Sequence, residues 1–304
     1  MADELGFDGK VAIVTGGAGG LGRQHALLLA SRGARVVIND LGGSVSGEGT
    51  SQGPAESVAQ EIRDLGGEAV ADTNSVSTPE GGAAVVQTAL DAFERVDIVI
   101  NNAGILRDKT FQNMTPELLE PVIDVHLKGA FYVTRPAWLA MREQHYGRIV
   151  NTSSNSGILG NFGQTNYGAA KMGLVGLTRV LAAEGAKYNI KVNAIAPLAR
   201  TRMTEDLFGD AVKLLDPEFV SPIVAWLAHE DVPVTGEVYT VGGGRVGRFF
   251  IGMTRGYYNP KLTLEDIRDH FAEIRDETGY MVPAGPGDEL AFLVKTIQGG
   301  GVEA

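Results

Sequence analysis

Short apolar runs rich in branched residues alternate along the chain with longer stretches in which apolar residues recur every three or four positions. The runs at 11–14, 35–38, 68–71, 97–100, 148–151, 192–196 and 237–241 predict seven strands, as short and apolar as strands buried on both faces are. Helices are predicted over 54–65, 79–93, 116–141 and 217–229, after the first strand through Leu21, Leu28 and Leu29, and again where Leu174, Leu177 and Leu181 share a face. Thr78-Pro79-Glu80, Thr115-Pro116-Glu117 and Asp216-Pro217-Glu218 each supply a cap, a proline for the first turn and an early acid. Strand and helix in strict alternation define an α/β protein, a doubly wound parallel sheet of about seven strands.

The last of these strand runs ends at Val241. Beyond it, Thr263 to Asp266 has the spacing of a capping box before Ile267, Phe271 and Ile274, and Asp288 can cap a second helix through Ile297. The expected division is a main domain, 1–248, and a C-terminal helical extension, 249–304. Two short helices bury too little surface to stand alone, so the extension is expected to pack on the domain or on a sister subunit.

Composition narrows the partners. The 304 residues carry a formal charge of −11, which argues against nucleic acid or an anionic membrane surface and leaves a small molecule. There is no cysteine, so disulfides, thiolate metal sites and a cysteine nucleophile are excluded, and no metal is expected. The start, MADELGFDGK, lacks the features of a signal peptide, no apolar run of about 18 residues occurs, and the end lacks a Ser-Lys-Leu address. A cytoplasmic location is expected.

The candidate chemistry lies where strands end. The first strand runs into TGGAGGLG, Thr15 to Gly22, ahead of a helix. Glycines there let the backbone approach a pyrophosphate, which helix amides and dipole stabilise, a Rossmann-like arrangement. Asp40 ends the second strand, about 20 residues on, placed to accept from ribose hydroxyls and to repel a 2′-phosphate. No Lys or Arg stands in the glycine loop to offset it, which favours NAD over NADP. Residues 42–53, GGSVSGEGTSQG, read as a mobile surface insertion near the adenosine end. Asn101-Asn102-Ala103-Gly104 and Thr152-Ser153-Ser154 follow the fourth and fifth strands, and Tyr167 and Lys171 stand one helical turn apart. An ammonium beside a phenol lowers the phenol's pKa from about 10, so Tyr167 can exchange a proton with an alcohol, with Ser154 beside it.

Taken together, these motifs resemble the short-chain dehydrogenase/reductase family over roughly residues 7–245. The resemblance implies that Ser154 polarises the substrate oxygen, Tyr167 is the acid/base, and Lys171 lowers its pKa while holding the nicotinamide ribose. It implies Gly16, Gly20, Leu21 and Gly22 at the pyrophosphate, Asp40 at the adenosine ribose, and Ser75, Val76 and Asn102 around the adenine and its ribose. NDLGG, NNAGILRDKTF, HLKGAF, YGRIVNTSS and GNFGQTNY are similar to the (3R)-hydroxyacyl-CoA dehydrogenase domains of peroxisomal multifunctional enzymes of type 2. That likeness implies NAD-dependent oxidation of a (3R)-3-hydroxyacyl-CoA, or a related hydroxysteroid or steroid side-chain acyl-CoA. Where many family members place asparagine in the proton relay this chain has His126, a feature of that group and a further candidate catalytic residue.

Arg107, Lys109, Arg200 and Arg202 are candidate CoA contacts. Ala169, Ala170, Gly173 and Gly176 suit close helix packing, within the subunit or in a homodimer or homotetramer. Two other readings stay open: an NADPH-linked 3-ketoacyl reductase, against which Asp40 stands, and a catalytically silent NAD-binding sensor or scaffold, against which the complete Ser154, Tyr167 and Lys171 set stands.

Overall fold

The structure, a computed structural model, describes residues 4–51, 53–199 and 215–299. It divides into two compact units, Met1–Arg248 and Phe249–Ala304.

In the first unit, strands β1 (Val11–Thr15), β2 (Arg35–Asn39), β3 (Glu68–Asp72), β4 (Ile98–Asn101), β5 (Gly147–Thr152), β6 (Ile190–Pro197) and β7 (Val238–Gly242) form one sheet with β8 (Arg245–Phe249). The order is β3-β2-β1-β4-β5-β6-β7-β8. The eighth strand is additional to the seven expected. Gly243 and Gly244, at φ 55° and 79°, make the two-residue turn that returns the chain as a hairpin, a link too short for a parallel crossover.

The other strands pair in parallel. Val14 lies opposite both Ile38 and Ile100, Asn101 opposite Asn151, and Thr152 opposite Ile195. The carboxyl ends of β1, β2, β4, β5 and β6 therefore finish along one edge, where an open α/β sheet binds its ligand. Helices α1 (Gly20–Ser31), α2 (Gly53–Asp64), α3 (Pro79–Phe93), α4 (Pro116–Ile123), α5 (Gly129–Gln144), α6 (Asn155–Leu159), α7 (Thr165–Gly185) and α8 (Ser221–Ala228) connect the strands. Apolar side chains from both sheet faces form two separate cores, one with α1, α2 and α8, the other with α3 and α5. Both faces are covered, so the strands read as continuous apolar runs rather than alternating ones.

The single helix expected over 116–141 is three pieces. A π-helical turn, Asp124–Lys128, separates α4 from α5 and carries His126. Of the three predicted caps, Thr78 and Asp216 accept backbone N–H bonds, whereas Thr115 makes no side-chain cap. A buried polar ladder crosses the core: Asn101 Nδ2 donates to Thr134 Oγ1 at 2.9 Å and to Asn151 Oδ1 at 2.8 Å, and Asn151 Nδ2 donates to Thr178 Oγ1 at 2.9 Å. It pins α5 and α7 to the two central strands with every amide paired, the condition for polar groups to be tolerated there.

His25, on α1, is buried with Nδ1 2.8 Å from Ser221 Oγ, and burial pushes its pKa down to about 3. The unfolded chain binds this proton near pH 6.5 and the folded one does not. Stability should therefore be full above about pH 6.5 and fall by up to about 1.4 kcal/mol per pH unit as pH drops toward 3. His25→Asn should flatten urea-unfolding free energies across that range, and a slope unchanged from the parent's would contradict this.

In the second unit, a bridge between Met253 and Met281 encloses α9 (Leu264–Asp269) and α10 (Phe271–Ile274), and α11 (Pro286–Gly299) follows it. The capping box is formed: Thr263 Oγ1 accepts from Asp266 N at 3.1 Å, and Asp266 Oδ2 accepts from Thr263 N at 2.9 Å. No described helix of either unit is long and apolar enough to cross a membrane.

Candidate active site

Along the carboxyl edge lies a cleft of about 750 Å³ whose walls are the strand-end loops. Gly16 turns the chain out of β1 at φ 64° and passes so close to the β4 loop that a Cβ would stand 2.9 Å from Ala103 Cα. Asn102 locks this turn, donating from Nδ2 to Thr15 O at 3.0 Å and Gly16 O at 3.2 Å, while Thr15 Oγ1 accepts from the Asn102 and Ala103 amides. Helix α1 then starts with no side-chain cap on Gly19. Its first amides belong to residues that line the cleft, Gly20 and Leu21, an arrangement that suits a pyrophosphate. Gly22 is not in the wall. It is buried behind the turn, where a Cβ would meet Gly16 O at 2.1 Å, so its part is close packing.

Asp40 lines the cleft beyond the turn. Its carboxylate accepts from Ala18 N at 3.1 Å and from Gly42 N at 2.8 Å, and each oxygen keeps a lone pair for a further donor. Ser75 and Val76 complete this end.

At the other end Ser154, Tyr167 and Lys171 meet. Ser154 leaves β5 as the cap of α6, accepting from Ser156 N at 3.1 Å. Tyr167 and Lys171 project from one face of α7, with the Lys171 nitrogen 5.5 Å from the Tyr167 ring centre. Lys171 is buried and donates to Thr152 O at 2.5 Å, while Ser153 Oγ donates to Lys171 O at 2.8 Å. Burial pushes the Tyr167 phenol up to about 12, partly opposed by a hydrogen bond from Ser154, and pushes Lys171 down to about 7. Desolvation thus outweighs the lowering of Tyr167 by Lys171 that the spacing alone suggests. Each group disfavours its own charge, and a proton passed from phenol to amine creates a pair of opposite charges that support one another.

His126 is buried, its ring edge-on to Tyr167 with centres 5.1 Å apart at 90°. Its Nε2 lies 3.0 Å from Ile105 N and 2.8 Å from Ile105 O, and its Nδ1 is buried without a hydrogen-bond partner. Burial first, and the charge of Lys171 second, hold its pKa well below the ordinary value, so the ring is neutral. It crowds Gly104, where a Cβ would come within 2.3 Å of Cε1. That crowding explains the glycine ending NNAG.

Residues 42–51 lie mostly at the surface, as expected, and also reach the cleft: Leu106 N donates to Val45 O at 3.0 Å, and Gly43, Ser44, Val45 and Gly47 line it. Arg107, a candidate CoA contact, lines the cleft and donates from its guanidinium to Ser46 O and Glu117 O at 3.0 and 2.8 Å, leaving further N–H donors. Arg200 and Arg202 lie outside the described residues. Of the small residues on α7, Ala170 is buried, Gly173 packs on Leu127, Ala169 is exposed and a Cβ at Gly176 would meet open space.

A cleft with a glycine turn and helix start suited to a pyrophosphate at one end, and a serine, a tyrosine and a lysine at the other, defines a nicotinamide-dependent oxidoreductase of the Rossmann type. The short chain dehydrogenase family's pattern matches residues 10–211, and the chain belongs to that family. It is an enzyme acting on a hydroxyl group with a nicotinamide cofactor. It is 50% identical over 276 residues to a Mycobacterium tuberculosis protein named as a short-chain type dehydrogenase/reductase, covering 90% of this chain and 96% of that one. It is 50% identical over 302 residues to the mouse peroxisomal multifunctional enzyme type 2, covering 98% of this chain but 41% of the mouse protein. The structure of the full-length Drosophila melanogaster peroxisomal multifunctional enzyme type 2 superposes with a TM-score of 0.83 at 37% identity, over 98% of this chain and 51% of that one.

Proposed function

We propose that the chain oxidises (3R)-3-hydroxyacyl-CoA, or a related steroid side-chain acyl-CoA, to the 3-keto thioester with NAD. The observation that carries this reading is the convergence of Ser154, Tyr167 and Lys171 in a cleft that also holds Asp40. When bound, the oxidised nicotinamide supplies the hydride acceptor. Ser154 and Tyr167 hold the substrate hydroxyl between them, and Tyr167 removes its proton as the carbinol carbon gives up hydride. Lys171, paired with the Thr152 carbonyl, supports the phenolate. Neutral His126 braces the Tyr167 ring and ties it to the Ile105 backbone.

The thioester rests on likeness to enzymes that handle acyl-CoA, together with the apolar Leu159 and Leu198 in the cleft wall beside Ser154. Arg107 and Lys109 are the described basic candidates for the CoA phosphates. Preference for NAD rests on Asp40. Oxidation rates for (3R)-3-hydroxyacyl-CoA with NAD and with NADP test the reading, and faster turnover with NADP would favour the reductase alternative.

The working form is a homodimer or homotetramer. Supporting this, Phe131 and Leu139 on α5 are 49% and 48% exposed, and Met172 and Val180 on α7 are 41% and 57% exposed. Each pair is two turns apart on one helix face, with Gly176 open between the latter, and such faces mark association surfaces. In the extension, Leu290, Leu293, Val294 and Ile297 form a similar exposed stripe on α11, as expected of an element that packs on a sister subunit. Sedimentation at micromolar concentration should give a multiple of the 32.1 kDa chain, and a monomer would contradict it.

A further inference from the structure

The segment after β2 has a composition that buries nothing, yet it is folded and tied down. Within it Ser44 N donates to Glu48 O at 2.8 Å, Gly47 N to Ser44 O at 3.0 Å and Ser51 N to Leu41 O at 3.0 Å. Its two limbs approach so closely that a Cβ on Gly42, at φ 71°, would lie 2.1 Å from Ser51 O. Among the described residues, it bonds outward to the segment following β4. Leu106 N donates to Val45 O at 3.0 Å, Arg107 Nε donates to Ser46 O at 3.0 Å, and a Cβ on Gly47 would touch Ile105 at 3.1 Å.

Sheet order gives these contacts their meaning. Strands β2 and β4 flank β1, and β1 ends in the glycine turn. A segment that leaves β2 and docks beyond β4 must pass over that turn. Leu41, Gly43, Ser44, Val45 and Gly47 accordingly line the same cleft as Gly16, Gly19 and Gly20.

Arg107 anchors the crossing. Its Nη1 donates at 2.8 Å to Glu117 O, the carbonyl to which the N–H of residue 121 would donate in the helix ladder were it not Pro121, which has no N–H. One side chain thus takes a carbonyl freed by proline in α4 and a carbonyl of the crossing segment.

We infer that residues 41–51 form a strap over the dinucleotide cleft, latched by Arg107, and that the strap must open for the cofactor to bind or leave. The inference rests on the reading of the cleft as a nicotinamide dinucleotide site. Val45, Ser46, Leu106 and Arg107 become cofactor-retaining residues, distinct from those that carry out proton transfer. The strap's internal bonds make it move as a unit, and its few outer bonds, mostly backbone, make opening a local event.

The absence of cysteine from the chain permits a clean test. In a Val45→Cys, Leu106→Cys double variant, oxidation should join the strap to the β4 loop, as read by mass and loss of free thiol. NADH fluorescence in stopped flow should then show association and dissociation each slowed at least about tenfold, with the parent rates restored by dithiothreitol. Arg107→Ala should instead speed NADH release several-fold. Cross-linked protein exchanging NADH at the parent rate would overturn the strap as a gate, and failure of the two cysteines to join under oxidant would overturn its seating. No NADH binding by the unmodified chain would overturn the cofactor reading itself, and the strap with it.

Discussion

Tyr167→Phe is expected to bind NAD as the parent does and to turn over substrate slower by a factor on the order of 10³, the usual range for a lost general base. The substitution removes one oxygen from a half-buried ring whose place is held by packing against His126 and by the α7 backbone, so the fold has no reason to change. The pH profile carries more information than the loss itself. Oxidation needs the phenolate, so the rate should rise with pH and flatten above the apparent pKa of the Tyr167–Lys171 pair. Burial, only partly opposed by the Ser154 hydrogen bond, holds the phenol at about 12, and a base with that pKa would be almost fully protonated at neutral pH. Lys171 is the cation placed to draw it down, and Lys171→Met should move the rising limb to higher pH and lower the neutral-pH rate. A Phe variant within about threefold of the parent, or a profile unmoved by Lys171→Met, would remove Tyr167 or Lys171 from the proton transfer.

Asp40→Asn is expected to relax the choice of cofactor. A carboxylate and a 2′-phosphate charge about 4 Å apart repel by about 4 kcal/mol at an effective dielectric of 20, so even a partly screened contact separates NAD from NADP by tenfold or more. Asparagine keeps the shape and an acceptor oxygen for one of the Ala18 and Gly42 amides, where alanine would abandon both. Calorimetric titration should give NAD bound at least about tenfold more tightly than NADP by the parent chain, and a ratio closer to one in the variant. Equal affinity in the parent would contradict the reading of Asp40, whatever the variant does.

That the candidate cofactor and proton-transfer residues would meet along one cleft was legible because the chemistry proposed for them constrains residue type at a spacing measured from a strand end. Gly16 and Gly20 must follow β1, Asp40 must close β2, and Tyr167 and Lys171 must share a turn of α7. Contacts made to backbone atoms left no comparable sign. The strap is built from main-chain bonds among glycines and serines, whose composition reads as a free loop. Arg107 reads as a phosphate ligand, and nothing in its own neighbourhood announces that Pro121 has freed the carbonyl of Glu117. The π-helical turn of α4 and α5 keeps an apolar spacing close to that of an ordinary helix, so His126 could be recognised as unusual without its edge-on contact with Tyr167 being foreseen. The eighth strand did have a signal, the Gly243-Gly244 turn between Val241 and Val246, which the end of the family resemblance near residue 245 obscured.

If these residues oxidise one stereoisomer of a 3-hydroxyacyl thioester with NAD, initial rates of NADH formation from (3R)- and (3S)-3-hydroxyacyl-CoA of matched chain length, with a hydroxysteroid alongside, will separate the two esters. Rapid NADH formation is expected from the (3R) ester and at least about a hundredfold less from the (3S) ester. Equal rates, preference for the (3S) ester, or no NADH from any of the three substrates would contradict that assignment.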